Sequence, residues 1–380
     1  MEELSTPPVA ETSERRKKLY GLQVLRFFAA ALVLLAHTGD RLLALAERYH
    51  VPFTDFGFSG RLGVDIFFVI SGFIMGFLAL ERFGQPKAPL RFGIDRLTRV
   101  APFYWAVTLA GAAGSWVAPR LVSDASRIAP VTPEYLLKSL LFIPYLNWEG
   151  KHRPILPQGW TLNFEMMFYF VFTFCLFLRR PWGPLALLAS LVAIFSAGAQ
   201  FGAPAAVQLW GDPIIFEFFI GFLLAIVQAR LPRLVPMRGQ VSIIAAILAA
   251  SSLLIARGSV GLLFNAIIAT LLVAMCTLGT DIVPNNPLKR AFVRLGDWSY
   301  SLYLTHGLVM TLVIFLWRHV FGAHYMWALA VLLVAAALAA SGLAHYFVER
   351  PSTAICRRAL RRFFGKREGD GVPSAMPLRM

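Results

Sequence analysis

Of 380 residues, 57% are hydrophobic and only 15% charged, against about 45–50% apolar and about 25% charged in ordinary water-soluble domains. A net charge of +15 suggests a nucleic-acid partner at first sight, but the basic residues are spread between long apolar runs rather than gathered on one polar domain. Cys175, Cys276 and Cys356 stand far apart, which excludes a disulfide framework and a cysteine metal site.

Residues 1–18 are polar, contain Pro7 and Pro8, and end in a basic cluster, the pattern of a disordered cytoplasmic tail. The apolar run that follows is longer than a signal core and has no small-x-small site after His37, so cleavage is not expected. Stretches of about 20 mostly apolar residues fall near 20–38, 61–80, 100–118, 159–178, 183–200, 213–229, 240–256, 259–279, 296–317 and 326–347. The predicted fold is an all-α integral membrane protein of about ten transmembrane helices. If the N-terminus is cytoplasmic, 25 Lys and Arg lie on that side and 10 on the other, with Arg26 inside the first span. That excess follows the positive-inside rule, places both termini in the cytoplasm, and leaves no need for a nucleic-acid partner. The expected organisation is a tail over 1–18, a membrane core over 19–350 and a basic cytoplasmic tail over 351–380, whose arginines suit anionic lipid.

Ionisable residues within spans are costly and mark candidate sites. Arg26 and His37 in LRFFAAALVLLAH are eleven residues apart, hence about 20° apart around one helix and about 16 Å along it. This suits a long donor entering at Arg26 and presenting its reactive end at His37; snorkelling for Arg26 and an interfacial hydrogen bond for His37 are the alternatives. Asp65 in the second span lies at a similar outer depth, as does Glu217 in the sixth. Ser71 has Val69 and Phe73 two positions away, so it is not in a hydrolase elbow. Arg96 and Arg99 before the third span are i, i+3 neighbours suited to phosphates, or to setting topology. Between Pro119 and Gly159 runs the principal outer loop, whose apolar segment Tyr135–Tyr145 is too short to span. Trp148, Glu149, His152 and Arg153 there could grip a carbohydrate or form an interfacial belt. In the fourth span Glu165 precedes Tyr169 by four residues and follows the interfacial Trp160, a placement suited to a base or its orienter. In the ninth, Ser299, Tyr303 and His306 share a face, His306 at a depth suited to an interhelical hydrogen bond.

Six segments in order, LRFFAAALVLLAH, GVDIFFVISGF, RLTRVAPFYW, GWTLNFEMMFY, SYSLYLTH and YFVERP, resemble the bacterial membrane acyltransferase-3 family, in particular its exopolysaccharide and lipopolysaccharide O-acyltransferases. The resemblance covers about residues 19–351. It implies an integral membrane enzyme that takes acyl groups from acyl-coenzyme A in the cytoplasm and modifies glycans outside it, with functional roles for Arg26, His37, Arg96 and Arg99. Family members often carry a further soluble C-terminal domain; here the activity is expected within the membrane core.

The joint expectation is a donor held by Arg26, Arg96 and Arg99, with His37 as general base on the acceptor hydroxyl and Glu165 orienting or stabilising the imidazole. Asp65, Trp160, Tyr169, Tyr303 and His306 are candidate acceptor or cavity residues. A covalent acyl-histidine is equally compatible. Acyl-coenzyme A is a co-substrate; no cofactor or metal is expected, since the seven histidines show no paired spacing. The acceptor is a polysaccharide or lipid-linked glycan. A polytopic exporter of a glycan or small acylated solute is the rival reading, although the two related halves usual in transporters are not evident.

Overall fold

Out of water a chain must satisfy its backbone within itself, and a helix does so inside one segment. The computed structural model of the chain describes residues 19–54, 57, 60–117, 130–231, 259–278 and 285–363, and every regular element among them is helical. In chain order these are α1 (Tyr20–Tyr49), α2 (Arg61–Ala79), α3 (Ala88–Val117), α4 (Pro133–Leu140), α5 (Gly159–Cys175), α6 (Trp182–Gly198), α7 (Ala205–Trp210), α8 (Ile215–Arg230), α9 (Ser259–Leu278), α10 (Pro287–Phe321), α11 (Met326–Ala344) and α12 (Arg350–Phe363). A π-turn, His345–Glu349, joins the last two.

Local chemistry sets several boundaries. Asn286 caps α10 by accepting from the Lys289 amide at 2.8 Å, with Pro287 in the first turn, and Thr132 caps α4 in the same way from Tyr135 at 3.1 Å. The expected spans each coincide with a described helix, except 240–256, which lies outside the described residues. Three helices are longer than the apolar runs that revealed them, α1 continuing past residue 38 to Tyr49. α3 begins at Ala88, because nothing breaks the helix before Arg99 and Pro102 is absorbed within it, and α10 begins at Pro287.

Among the described residues five helices are long and apolar enough to cross a membrane: Tyr20–Tyr49, Arg61–Arg82, Gly261–Leu278, Pro287–Phe321 and Met326–Leu360. α5, α6 and α8, of 17, 17 and 16 residues, are shorter. The structure therefore supports a multi-pass helical protein; ten crossings and the sidedness of the termini belong to the proposals below. The outer-loop segment expected not to span forms only the eight-residue α4.

Small residues bring the helices together where lipid supplies no hydrophobic drive between them. Gly72 and Gly76 of α2 face α8, and a methyl on Gly72 would come within 1.9 Å of the Phe218 carbonyl oxygen. Reciprocally, one on Gly221 would come within 2.0 Å of the Val69 oxygen. Around this contact Phe68, Phe168 and Phe218 interlock, Phe168 stacking on Phe218 at 4.4 Å. Helix α10 meets α1 as closely, with Gly296 against the Gln23 backbone.

Candidate active site

Between α1, α2, α3, α5 and α10 lies a cavity of about 110 Å³. Arg26 enters it from α1, Arg96 and Arg99 from α3, Thr161, Glu165 and Tyr169 from α5, and Tyr300 and Tyr303 from α10. The α5 residues are spaced by four, so one face carries all three polar groups. The α2 wall is Val64, Phe67, Phe68, Ile70, Ser71, Ile74 and Met75, an apolar face with a single hydroxyl in it.

Inside the cavity Glu165 accepts from the Tyr169 hydroxyl and, at 3.3 Å, from Ser71. Arg26 lies within electrostatic reach of Arg99, Glu349, Asp297 and Glu165. Guanidinium groups gathered in a poorly solvated space repel, and carboxylates close by offset that repulsion. Glu349 is one of these: it is buried on the π-turn, accepts from Ser301 Oγ at 2.6 Å and is 2.8 Å from His345 Nδ1. Insertions of this kind recur at functional sites.

His37 does not line the cavity. It stands eleven residues further along α1, its side chain 48% exposed, with Nδ1 3.5 Å from Asp40. Its ring stacks on His306 at 5.3 Å and 16°. His306 Nδ1 is 3.0 Å from the Leu302 carbonyl, which only accepts, so that nitrogen carries the proton. Nε2 is then the acceptor for the Gln158 amide at 3.4 Å. Tyr303 and Thr161 join through their hydroxyls at 2.9 Å, and both also reach the Gln158 carbonyl. This layer of Gln158, Thr161 and Tyr303 connects the cavity to the histidine stack.

Of the sequence candidates, Arg26, Arg96, Arg99, Glu165, Tyr169 and Tyr303 thus meet in one cavity, and His37 and His306 meet beside it. The expected pairing of Glu165 with His37 is not the observed one. Glu165 bonds Tyr169 one turn along its own helix, and His37 has Asp40 at i+3; these local partners are nearer than any between helices. Asp65 is fully buried against Arg61, 2.7 Å from its Nε, and lies off the cavity because it is turned about 100° from Val64 around α2. Trp160 packs edge-on against Phe164. Sequence reading missed Ser71, Tyr300 and Glu349. The first was legible as the only hydroxyl on the i, i+3, i+4, i+7 face of α2, whereas Glu349 reaches the site only through the fold. Among the described residues no three His, Cys, Asp or Glu side chains are grouped to hold a metal.

The family profile described as an acyltransferase domain matches residues 19–346. The chain belongs to the acyltransferase-3 family. This acyltransferase is 35% identical over 263 residues to the exopolysaccharide production protein ExoZ of Rhizobium meliloti (strain 1021), covering 67% of the chain and 78% of that protein. It is 25% identical to the acyltransferase MdmB of Streptomyces mycarofaciens, over 91% of the chain and 93% of its relative. It is also 25% identical to the peptidoglycan O-acetyltransferase OatA of Listeria monocytogenes serovar 1/2a, over 82% of the chain but only 55% of the longer relative. No solved structure matches it significantly.

Proposed function

We propose that this acyltransferase moves a short acyl group, acetyl by default, from cytoplasmic acyl-coenzyme A to a hydroxyl of a glycan outside the cytoplasm, in the bacterial inner membrane. The observation that carries the reading is the layout of α1, which places Arg26 in an arginine-lined cavity and His37, about 16 Å further along, at a half-exposed end. Arg96 and Arg99 suit the donor's phosphates, since guanidinium forks match phosphate oxygens. Arg26 lies further along the donor path, and Glu165, with Ser71 and Tyr169, offers hydrogen bonds to the donor arm and balances the arginine charge. The acyl end passes the Tyr303–Thr161 hydrogen bond to reach the histidine stack.

At His37, Asp40 faces Nδ1 and leaves Nε2 free as base, the division of labour in which a carboxylate fixes the tautomer. Nε2 takes the proton from the acceptor hydroxyl as its oxygen attacks the thioester carbonyl. The carbon–sulfur bond breaks, and the departing thiolate recovers the proton from the imidazolium, leaving an ester and free coenzyme A. General-base help of this kind is worth roughly 10²–10⁴ in rate. Support for a glycan acceptor comes from the relatives named for exopolysaccharide production and for peptidoglycan O-acetylation.

The test is mass spectrometry of envelope and secreted polysaccharides from cells with and without the protein, alongside coenzyme A release by the full chain in nanodiscs. A mass difference of one acyl group, with protein-dependent release, is expected. Glycan export changed without any acyl difference would replace this reading with that of an exporter.

A further inference from the structure

The loop before α5 is built rather than loose. Asn147 folds it back, its amide donating to the Lys151 carbonyl at 2.9 Å and its side-chain oxygen accepting from the Glu149 and Lys151 amides at 3.0 Å each. Ser139 ties the far side, meeting the Tyr145 hydroxyl at 3.0 Å and accepting from the Ile155 amide at 3.2 Å. Tyr135 stacks on Tyr145 at 4.8 Å. What this frame holds out is Arg153, exposed and within electrostatic reach of both His37 and Arg41. Arg41 is itself exposed and one turn beyond His37 on the same face of α1.

Two guanidinium groups from separate segments therefore converge on the residue assigned above as base. Asp40 faces His37 and lies within electrostatic reach of Arg41 too, so a single carboxylate stands against two guanidinium groups there. Holding like charges together costs free energy unless an anion sits between them. A neutral sugar gives no reason for that arrangement, whereas a carboxylate or phosphate on the acceptor does, through charge-assisted and bidentate hydrogen bonds.

We infer that Arg41 and Arg153 form an anion subsite beside His37 that selects an acidic glycan, one bearing a carboxylate or phosphate near the hydroxyl to be acylated. This rests on the reading of the His37 end as the acceptor side, and it gives the ordered outer loop the task of delivering one of the two cations. The subsite fixes the orientation of the acceptor by its charge and leaves the hydroxyl at the imidazole.

The experiment measures binding without turnover. The full chain in phosphatidylcholine nanodiscs is titrated with trigalacturonate and with its methyl ester, which has the same sugar ring and no charge. The acid is expected to bind about tenfold or more tightly than the ester, with the preference shrinking at high salt. Arg41→Gln and Arg153→Gln should each remove most of it, Arg153→Lys should restore part, and Lys138→Gln, elsewhere on the loop, should leave it intact. Equal binding of acid and ester, or an unchanged preference in the monodisperse double Gln variant, overturns the subsite. Loss of the preference when phosphatidylglycerol is added to the nanodiscs also overturns it, assigning the arginines to lipid headgroups. The donor reading is separate: a retained preference for the acid with no protein-dependent coenzyme A release would leave this subsite standing and remove the enzyme mechanism.

Discussion

At the scale of single residues, the cavity arginines and the exposed histidine have separable tasks. Replacing Arg96 or Arg99 by Gln is expected to raise KM for acyl-coenzyme A about tenfold or more, the worth of one charge-assisted hydrogen bond, with acceptor affinity unchanged. Folded Gln variants with unaltered donor KM would return these residues to a topological role. His37→Ala should abolish most transfer while leaving donor binding intact; a folded His37→Ala protein with full turnover would sink the proposed mechanism. Because Glu165 is bonded to Tyr169 rather than to His37, the strongly non-additive pair should be Glu165→Gln with Tyr169→Phe, measured as a double-mutant cycle on donor binding. Two independent, additive losses there would show that the hydrogen bond is incidental. His152 lies in the loop before α5. Burial alone lowers its pKa below the usual imidazole value, and its Nδ1 is buried without a partner. Its folded form therefore binds the proton less readily than the unfolded one, so its contribution is complete above about pH 6.5 and is lost as pH falls through the lower folded value. The protection of amides 147–156, taken relative to the intrinsic exchange rate at each pH, should fall between about pH 7 and about pH 5, and a His152→Gln variant should lose that pH dependence; identical protection profiles for the two proteins would remove the assignment.

At the scale of elements, the α2–α8 contact admits no side chain at either glycine. Gly72→Val or Gly221→Val should sharply reduce the monodisperse fraction on size-exclusion chromatography, because the obstacle in each case is backbone that cannot rotate away. Gly114→Ala is the control: nothing lies within 4 Å of its added methyl, so its yield should match or slightly exceed the parent's. Equal yields for Gly72→Val and Gly114→Ala would mean that the helices do not pack as described. These elements also show what a sequence can and cannot announce. The helices were legible because lipid-facing helices read as long apolar runs, and Arg26 and His37 because eleven residues return the chain to the same face. Pairings between helices were not legible. Nothing in GWTLNFEMMFY distinguishes a Glu165 that reaches His37 from one that bonds its own Tyr169, and Glu349 enters the site from the opposite end of the chain. Asp65 had the same sequence credentials as Glu165, and only its angle around α2 places it against Arg61 instead.

At the scale of the whole molecule, the 25 to 10 distribution of basic residues predicts both termini in the cytoplasm and the α4–α5 loop outside. A cysteine at position 150, in an otherwise cysteine-free variant, should react with a membrane-impermeant maleimide added to intact spheroplasts. Labelling only after lysis would invert the arrangement and, with it, the assignment of donor and acceptor ends. The π-turn that carries Glu349 has one more consequence, and it concerns the order of synthesis. Arg26 belongs to the first helix to leave the ribosome, while one of the carboxylates within its electrostatic reach is made almost a full chain length later. At about 5–20 residues per second the nascent protein must keep a guanidinium in or near the bilayer on the order of tens of seconds before that counter-charge exists. During this interval the first helix is expected to be less settled than in the finished protein and more open to quality-control proteases. A chain that stalls before His345 should accordingly be cleared from the membrane, while one that reaches Glu349 becomes resistant as its two ends meet.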